Sequence, residues 1–261
     1  MLASDLDLLK GAAESAAEIA LRHWRRDPHS WEKPGDAGPV SEADLEVDAH
    51  LKTVLKDARP DYGWLSEETT DNASRLGKDR VFIVDPIDGT RSFLAGEKTW
   101  SHSLAIAENG RVTAAVVFLP AHDKIYTATL GGGARCNDKD LTSSGRSGIS
   151  GASVLATRSN FETRYWPAGI PPVERHFRSS LAYRLALVGE GRFDAMLTFR
   201  ETWEWDVAAG TLIAAEAGAL ACTTDGTAPR FNNPLPFLRG LVVATPGVHA
   251  GLMQALGQQF A

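Results

Sequence analysis

The spacing of apolar residues changes twice along the chain, and each change marks a different kind of element. From residue 4 to residue 24, Leu6, Leu9, Ala13, Ala16, Ala17, Ala20 and Trp24 recur mostly at intervals of three and four, which predicts an amphipathic helix. Ser4 and Asp7 have capping-box spacing at its start, and Arg22, Arg25 and Arg26 lie near the negative end of its dipole. A Pro- and Gly-rich connection follows. A second helix is predicted from about 42 to 58, with Val47, Leu51, Val54, Leu55 and Ala58 on one face and Pro60 as its stop.

From residue 81 the period shortens. VFIV (81–84), SLAIA (103–107), VTAAVVFL (112–119) and KIYTAT (124–129) are strand-like runs separated by turns such as Asn109-Gly110. They predict an antiparallel meander. A tract of small residues from 142 to 153 is the candidate boundary. Beyond it, the strand-like runs SVLAT, DAMLTF and LVVA alternate with predicted helices near 179–189, 206–217 and 247–258. A helix-flanked sheet in each half is the simplest assembly, with an α+β half over residues 1–150 and an α/β half over 151–261.

Composition narrows the function classes. With 27 Lys and Arg against 33 Asp and Glu, the formal charge is −6, which leaves no general field for gathering a nucleic-acid polymer. Apolar runs such as AAVVFL (114–119) fall far short of the ~18 residues that span a bilayer. The acidic start, MLASDLDLLK, lacks the basic and apolar regions of a signal peptide. Cys136 and Cys222 form neither a disulfide framework nor a Cys-x-x-Cys metal site. A cytoplasmic protein with no membrane partner is the expectation.

Candidate chemistry concentrates in VFIVDPIDGTRSF (81–93). An apolar strand ends at Asp85, Pro86 restrains the backbone, Asp88 follows, and Gly89-Thr90 opens the next segment. Carboxylates this close repel unless a cation lies between them. Gly89 lets the backbone approach a ligand, so the Gly89 and Thr90 N–H groups are candidate donors to an anionic oxygen. Turn formation alone is the competing reading of Asp85-Pro86 and Asp88-Gly89. Glu67 and Glu68 follow another short apolar run, and Asp206 opens a predicted helix. Asp206 also fits a plain helix N-cap, and Asp44 fits a capping box with Ser41. Taken jointly, these acids make an oxygen-only ligand set that suits Mg²⁺ or Mn²⁺ rather than zinc or copper. His102 reads as a sheet residue, and the seven tryptophans read as core and rim packing.

DPIDGT (85–90), WDVAAG (205–210) and LSEE (65–68) together resemble the signature motifs of the inositol monophosphatase superfamily, Mg²⁺-dependent, lithium-sensitive phosphomonoesterases. The resemblance runs from Ser41 to Gly218 and implies a layered α/β/α/β/α sandwich of the α+β class, the fold type of inositol monophosphatase and fructose-1,6-bisphosphatase. It implies that Glu67, Asp85 and the carbonyl of Ile87 hold one metal and that Asp85, Asp88 and Asp206 hold a second. Glu68 is then peripheral or a ligand for a third. Thr90 with Asp44 orients the attacking water, Glu67 belongs to the catalytic set, and Gly89 and Thr90 bind the phosphate. A homodimer acting on a small phosphorylated metabolite is implied as well.

The substrate is less constrained. Arg91 after DGT, Arg158-Ser159 in ATRSN, and the segment SSLAYRLALVGEGRFDA (179–195), which begins at Ser179, resemble the 3'(2'),5'-bisphosphate nucleotidase branch, which cleaves adenosine 3',5'-bisphosphate. These residues also read as markers of packing. Inositol-1-monophosphatase is the alternative, with Glu201 or Glu204 left to meet an inositol, and a catalytically inactive relative is the remote one. Arg91, Arg158, Arg184 and Arg200 are the candidate partners of a second phosphate, each competing with a role as surface charge.

Overall fold

A computed structural model describes residues 4–36 and 38–257. Helix α1 (Asp5–His23) is followed by a short hairpin of β1 (Ser30–Glu32) and β2 (Pro39–Ser41), and then by α2 (Glu42–Ala58). The seven-stranded sheet is laid down in sequence order: β3 (Gly63–Ser66), β4 (Arg80–Asp88), β5 (Ser101–Glu108), β6 (Arg111–Leu119), β7 (Lys124–Thr129), β8 (Gly133–Cys136) and β9 (Lys139–Asp140). β3 runs parallel to β4, and every later pair is antiparallel, so the predicted meander is present with an added edge at each side. The five-stranded sheet has the order β11-β10-β12-β14-β13. Its strands are β10 (Ser153–Leu155), β11 (Glu174–His176), β12 (Ala195–Trp203), β13 (Leu220–Cys222) and β14 (Phe237–Ala244). The remaining helices are α3 (Thr90–Leu94), α4 (Leu181–Gly189), α5 (Glu204–Glu216) and α6 (Pro246–Ala255). The expected end of the last helix, at 258, lies outside the described residues, as do the first three residues of the acidic start.

Alternation along the strands dictates the layers, because successive side chains face opposite sides of a sheet. Phe82 and Val84 of β4 bury against α1 and α2, while Val81 and Ile83 bury against α4 and α5. The other side of that helical layer is closed by Met196, Leu241 and Val243 of the five-stranded sheet. Leu197, Val242 and Ala244 face outward onto Val248, Leu252 and Met253 of α6. The result is the α/β/α/β/α sandwich. α5 is apolar on all sides because it lies between two sheets, with residues 207–214 all buried.

Gly189, whose added Cβ would lie 3.2 Å from the Ile213 carbonyl oxygen, and Gly210 let α4 and α5 approach. A Cβ on Gly210 would lie 2.5 Å from Leu185 Cβ and 2.9 Å from the Ala182 carbonyl oxygen. Gly210→Ala adds about 1 kcal/mol of helix propensity, but a backbone carbonyl cannot yield without shifting a helix. Overpacking of this kind costs roughly 1–3 kcal/mol. Net destabilisation is therefore expected in denaturant unfolding, and an unchanged or raised midpoint would show that the helices separate freely. Among the described residues no helix is long and apolar enough to cross a membrane.

Candidate active site

β4 carries Asp85 and Asp88 at its C-terminal end. In a regular strand, residues three apart face opposite sides. Here the register against β5 shifts between Asp85 and Asp88, and Pro86, which has no N–H to offer a ladder, sits in that irregularity. The shift allows both carboxylates to face one site. His102 Nδ1 donates to the Pro86 carbonyl, and burial pushes its pKa down to about 4, so this histidine is a neutral support for the strand end.

Asp206 arrives from the first turn of α5. The cap of that helix is Trp203, which makes no side-chain capping bond, so the helix starts two residues earlier than predicted and Asp206 is its third residue. Asp85, Asp88 and Asp206 each bring a carboxylate oxygen within 4.8 Å of the others. Asp88 is also the fixed point between the two sheets. Its Oδ1 accepts from Leu181 N (3.1 Å), and its Oδ2 accepts from Ala182 N and the Ser180 hydroxyl (both 2.7 Å). It therefore tethers the first turn of α4, where a negative charge is favoured by the helix dipole.

Gly89 turns the chain from β4 into α3. Its φ of 100° belongs to the left-handed region, and a Cβ there would lie 3.1 Å from the Thr99 carbonyl oxygen. Both conformation and space require glycine. The next residue, Thr90, places its hydroxyl 3.2 Å from Asp44 Oδ1 and 3.1 Å from the Ile87 carbonyl. Asp44 spends its other oxygen, Oδ2, on the backbone N–H and hydroxyl of Ser41, at 2.8 and 2.6 Å. The capping box expected for α2 thus forms, and it leaves Oδ1 to face Thr90.

Glu67 and Glu68 follow β3, and both are held by Lys33, whose Nζ lies 2.8 Å from Glu67 Oε1 and 2.6 Å from Glu68 Oε1. Burial opposes the charge on Lys33, but the two carboxylates outweigh it and hold the ammonium well above its usual range. Negative charge still dominates the site. Burial, followed by Glu67, Asp88 and Asp206, raises the Asp85 carboxyl well above the usual range. Asp206 is raised by burial, Asp88 and Glu67, and Asp88 chiefly by burial. Asp44 is pushed up to about 6 and Glu68 to about 7, in each case first by burial.

One atom decides how this charge is to be read. Asp85 Oδ1 is buried and has no hydrogen-bond partner. An unsatisfied buried acceptor costs about 1–3 kcal/mol, and more for a charged group. A divalent cation would satisfy this oxygen and relieve the repulsion among its neighbours. The hard oxygen donors suit Mg²⁺ or Mn²⁺. The residues present fit such an ion, with Asp85, Asp88 and Asp206 as its converging ligands.

The three carboxylates open into a cavity of about 550 Å³, together with Glu67, Ile87, Gly89 and Thr90. Arg91, Ser179, Arg184 and Arg200 line it too, and the Ser179 hydroxyl lies 2.7 Å from that of Ser92. Asp44 stands behind Thr90 rather than on the wall. Arg158 is exposed in a short 3-10 turn and is not among the lining residues. Lys33, Phe177, Trp203 and Trp205 are among the lining residues with no counterpart among the candidates read from sequence. Lys33 lies in a segment read as a connection, and no local pattern marks it. The two tryptophans, expected with the other five to serve core and rim packing, line the cavity instead; their nearness in sequence to Asp206 is the signal that could have marked them.

Comparison with known proteins agrees with this geometry. The chain matches the inositol monophosphatase family over residues 2–260 and belongs to it. It is 38% identical over 203 residues to an inositol-1-monophosphatase of Rhizobium meliloti, covering 74% of each chain. It is 31% identical over 263 residues to a protein of Xylella fastidiosa named Nus factor SuhB, covering 96% of this chain and 94% of the other. A 3'-phosphoadenosine 5'-phosphate phosphatase of Mycobacterium bovis is 31% identical over 241 residues, with 85% of this chain and 81% of that one covered. Among solved structures, the Thermotoga maritima IMPase TM1415 superposes with a TM-score of 0.83 at 26% identity, covering 97% of this chain and 96% of that one. The chain is a phosphoric monoester hydrolase, and its family is one of metal-dependent phosphatases.

Proposed function

We propose that this phosphatase removes the 3'-phosphate of adenosine 3',5'-bisphosphate in a Mg²⁺-dependent reaction. The observation that carries the choice of substrate is the charge of the cavity wall beyond the carboxylate site. Arg91, Arg184 and Arg200 line it, and among the described residues it offers no further acid. Glu201 is exposed on β12 and does not line the cavity. Glu204 is fully buried, with its oxygens taken by Asn232 N (2.6 Å), Asn233 N (2.8 Å) and Asn233 Nδ2 (2.7 Å). A polyol asks for acceptors, whereas a second phosphate asks for cations. The wall supplies cations.

A divalent cation bound here lowers the pKa of water and stabilises negative charge as the ester bond breaks. The chain supplies the rest. Thr90 donates its hydroxyl proton to Asp44 Oδ1 and accepts one from the attacking water, which aims the water at phosphorus. Asp44 then serves as the proton's further acceptor. The N–H groups of Gly89 and Thr90 stabilise the phosphoryl oxygens, and no side chain needs to become phosphorylated. The identity of the Rhizobium meliloti relative makes inositol 1-phosphate the second reading.

Adenosine 3',5'-bisphosphate, adenosine 3'-monophosphate and inositol 1-phosphate assayed side by side separate the two. The first is expected to have the highest kcat/KM. It should exceed the monophosphate by roughly one to two decades, the equivalent of about 1.5–3 kcal/mol for a charge-assisted hydrogen bond. Preference for inositol 1-phosphate, or no gain from the 5'-phosphate, assigns the enzyme to the second reading.

A further inference from the structure

The cavity has an aromatic side that phosphate hydrolysis does not use. Trp203 and Trp205 line it with their rings stacked, centroids 4.9 Å apart and planes 9° from parallel. Phe177 lines it as well, with the Arg184 guanidinium 4.4 Å from its ring centroid. Trp203 is 46% exposed and Phe177 48%, although both are large apolar side chains on a wall that holds charged groups. Each packs on one side, Trp203 on Trp205 and Phe177 on Arg184, yet about half of each stays exposed, and two such apolar surfaces on one concavity mark a place for a ligand ring.

The indole pair is also held firmly. Trp203 ends β12 in register with Phe237, whose ring meets it edge-on at 6.0 Å. The next residue is Glu204, whose buried carboxylate is tied to Asn232 and Asn233. A rigid aromatic face loses little entropy when a flat ring lies on it.

We infer that Trp203, backed by Trp205, is the platform for the nucleobase of the substrate and so selects a nucleoside phosphate over a phosphate ester without a base. This rests on the nucleotide reading above and adds the residue that recognises the base. Stacking of a base on an aromatic side chain is sequence-tolerant, so the platform accepts a nucleobase without reading its edges.

The test uses the full chain with Trp203→Leu, which keeps apolar bulk at an exposed position. The readout is the ratio of kcat/KM for adenosine 3',5'-bisphosphate to that for glycerol 2-phosphate, which has no base. The ratio is expected to fall about tenfold, equivalent to about 1.4 kcal/mol, through KM for the nucleotide rather than kcat. A second readout is binding of adenosine, which carries no phosphate, to metal-free protein in EDTA. Adenosine should quench tryptophan fluorescence in the wild type and lose most of that quench in Trp203→Leu. An unchanged ratio, or an equal loss on both substrates, overturns the platform. If the 5'-phosphate gives no advantage but adenosine still quenches through Trp203, the bisphosphate reading fails and the platform stands.

Discussion

Asp85→Asn is expected to lower phosphatase activity by well over a hundredfold while leaving the fold intact. Changes to groups that only support a metal ligand already cost about 10–100-fold in affinity or activity. Asp85 is the buried carboxylate with an oxygen that nothing else satisfies, so its loss should exceed that range. The same substitution should act in the opposite direction on the metal-free protein. Burial and like charges raise the carboxyls of Asp85 and Asp206 in the folded state. A carboxyl raised on folding binds its proton more tightly folded than unfolded, so stability is lost as pH rises from the unfolded value, about 4, up through the raised folded value. In EDTA at neutral pH the wild type should therefore melt below Asp85→Asn. Added Mg²⁺ should raise the wild-type Tm and move the variant little. A variant that melts lower in EDTA, or that keeps near-normal turnover at saturating Mg²⁺, contradicts the assignment.

Thr90→Ala is expected to reduce kcat by about 10²–10⁴, the usual worth of positioned proton transfer, with a much smaller change in KM. The backbone N–H proposed to meet the phosphate survives the substitution, and only the hydroxyl between Asp44 and the site is removed. Thr90→Ser keeps that hydroxyl and should recover most of the rate. A Thr90→Ala enzyme with unchanged kcat and a much raised KM would confine Thr90 to binding.

The apolar period made the helix over 42–58 and the antiparallel meander legible, because those elements bury one face or alternate between two. The short strands β1, β2, β8, β9, β11 and β13 were not legible, since two to four residues are too few to show a period. The carboxylates were legible because Asp85-x-x-Asp88-Gly89 is a local pattern. Their convergence was not, because it depends on a register shift in β4 and on α5 bringing Asp206 across from the other half. Lys33 reaches Glu67 and Glu68 from 34 and 35 residues away in sequence, a contact that only the fold creates. The arginines divide for the same reason. Arg184 and Arg200 reach the cavity from α4 and β12, while the turn that carries Arg158 does not.

Phosphate release from a mixture of adenosine 3',5'-bisphosphate and inositol 1-phosphate, by chelator-stripped protein titrated with Mg²⁺, tests the central claim most directly. No release is expected in EDTA, a saturable rise is expected with Mg²⁺, and Asp85→Asn should show almost none at any concentration. Release at the same rate with and without chelator, or an equal rate from Asp85→Asn, would contradict a metal-dependent phosphatase built on these carboxylates.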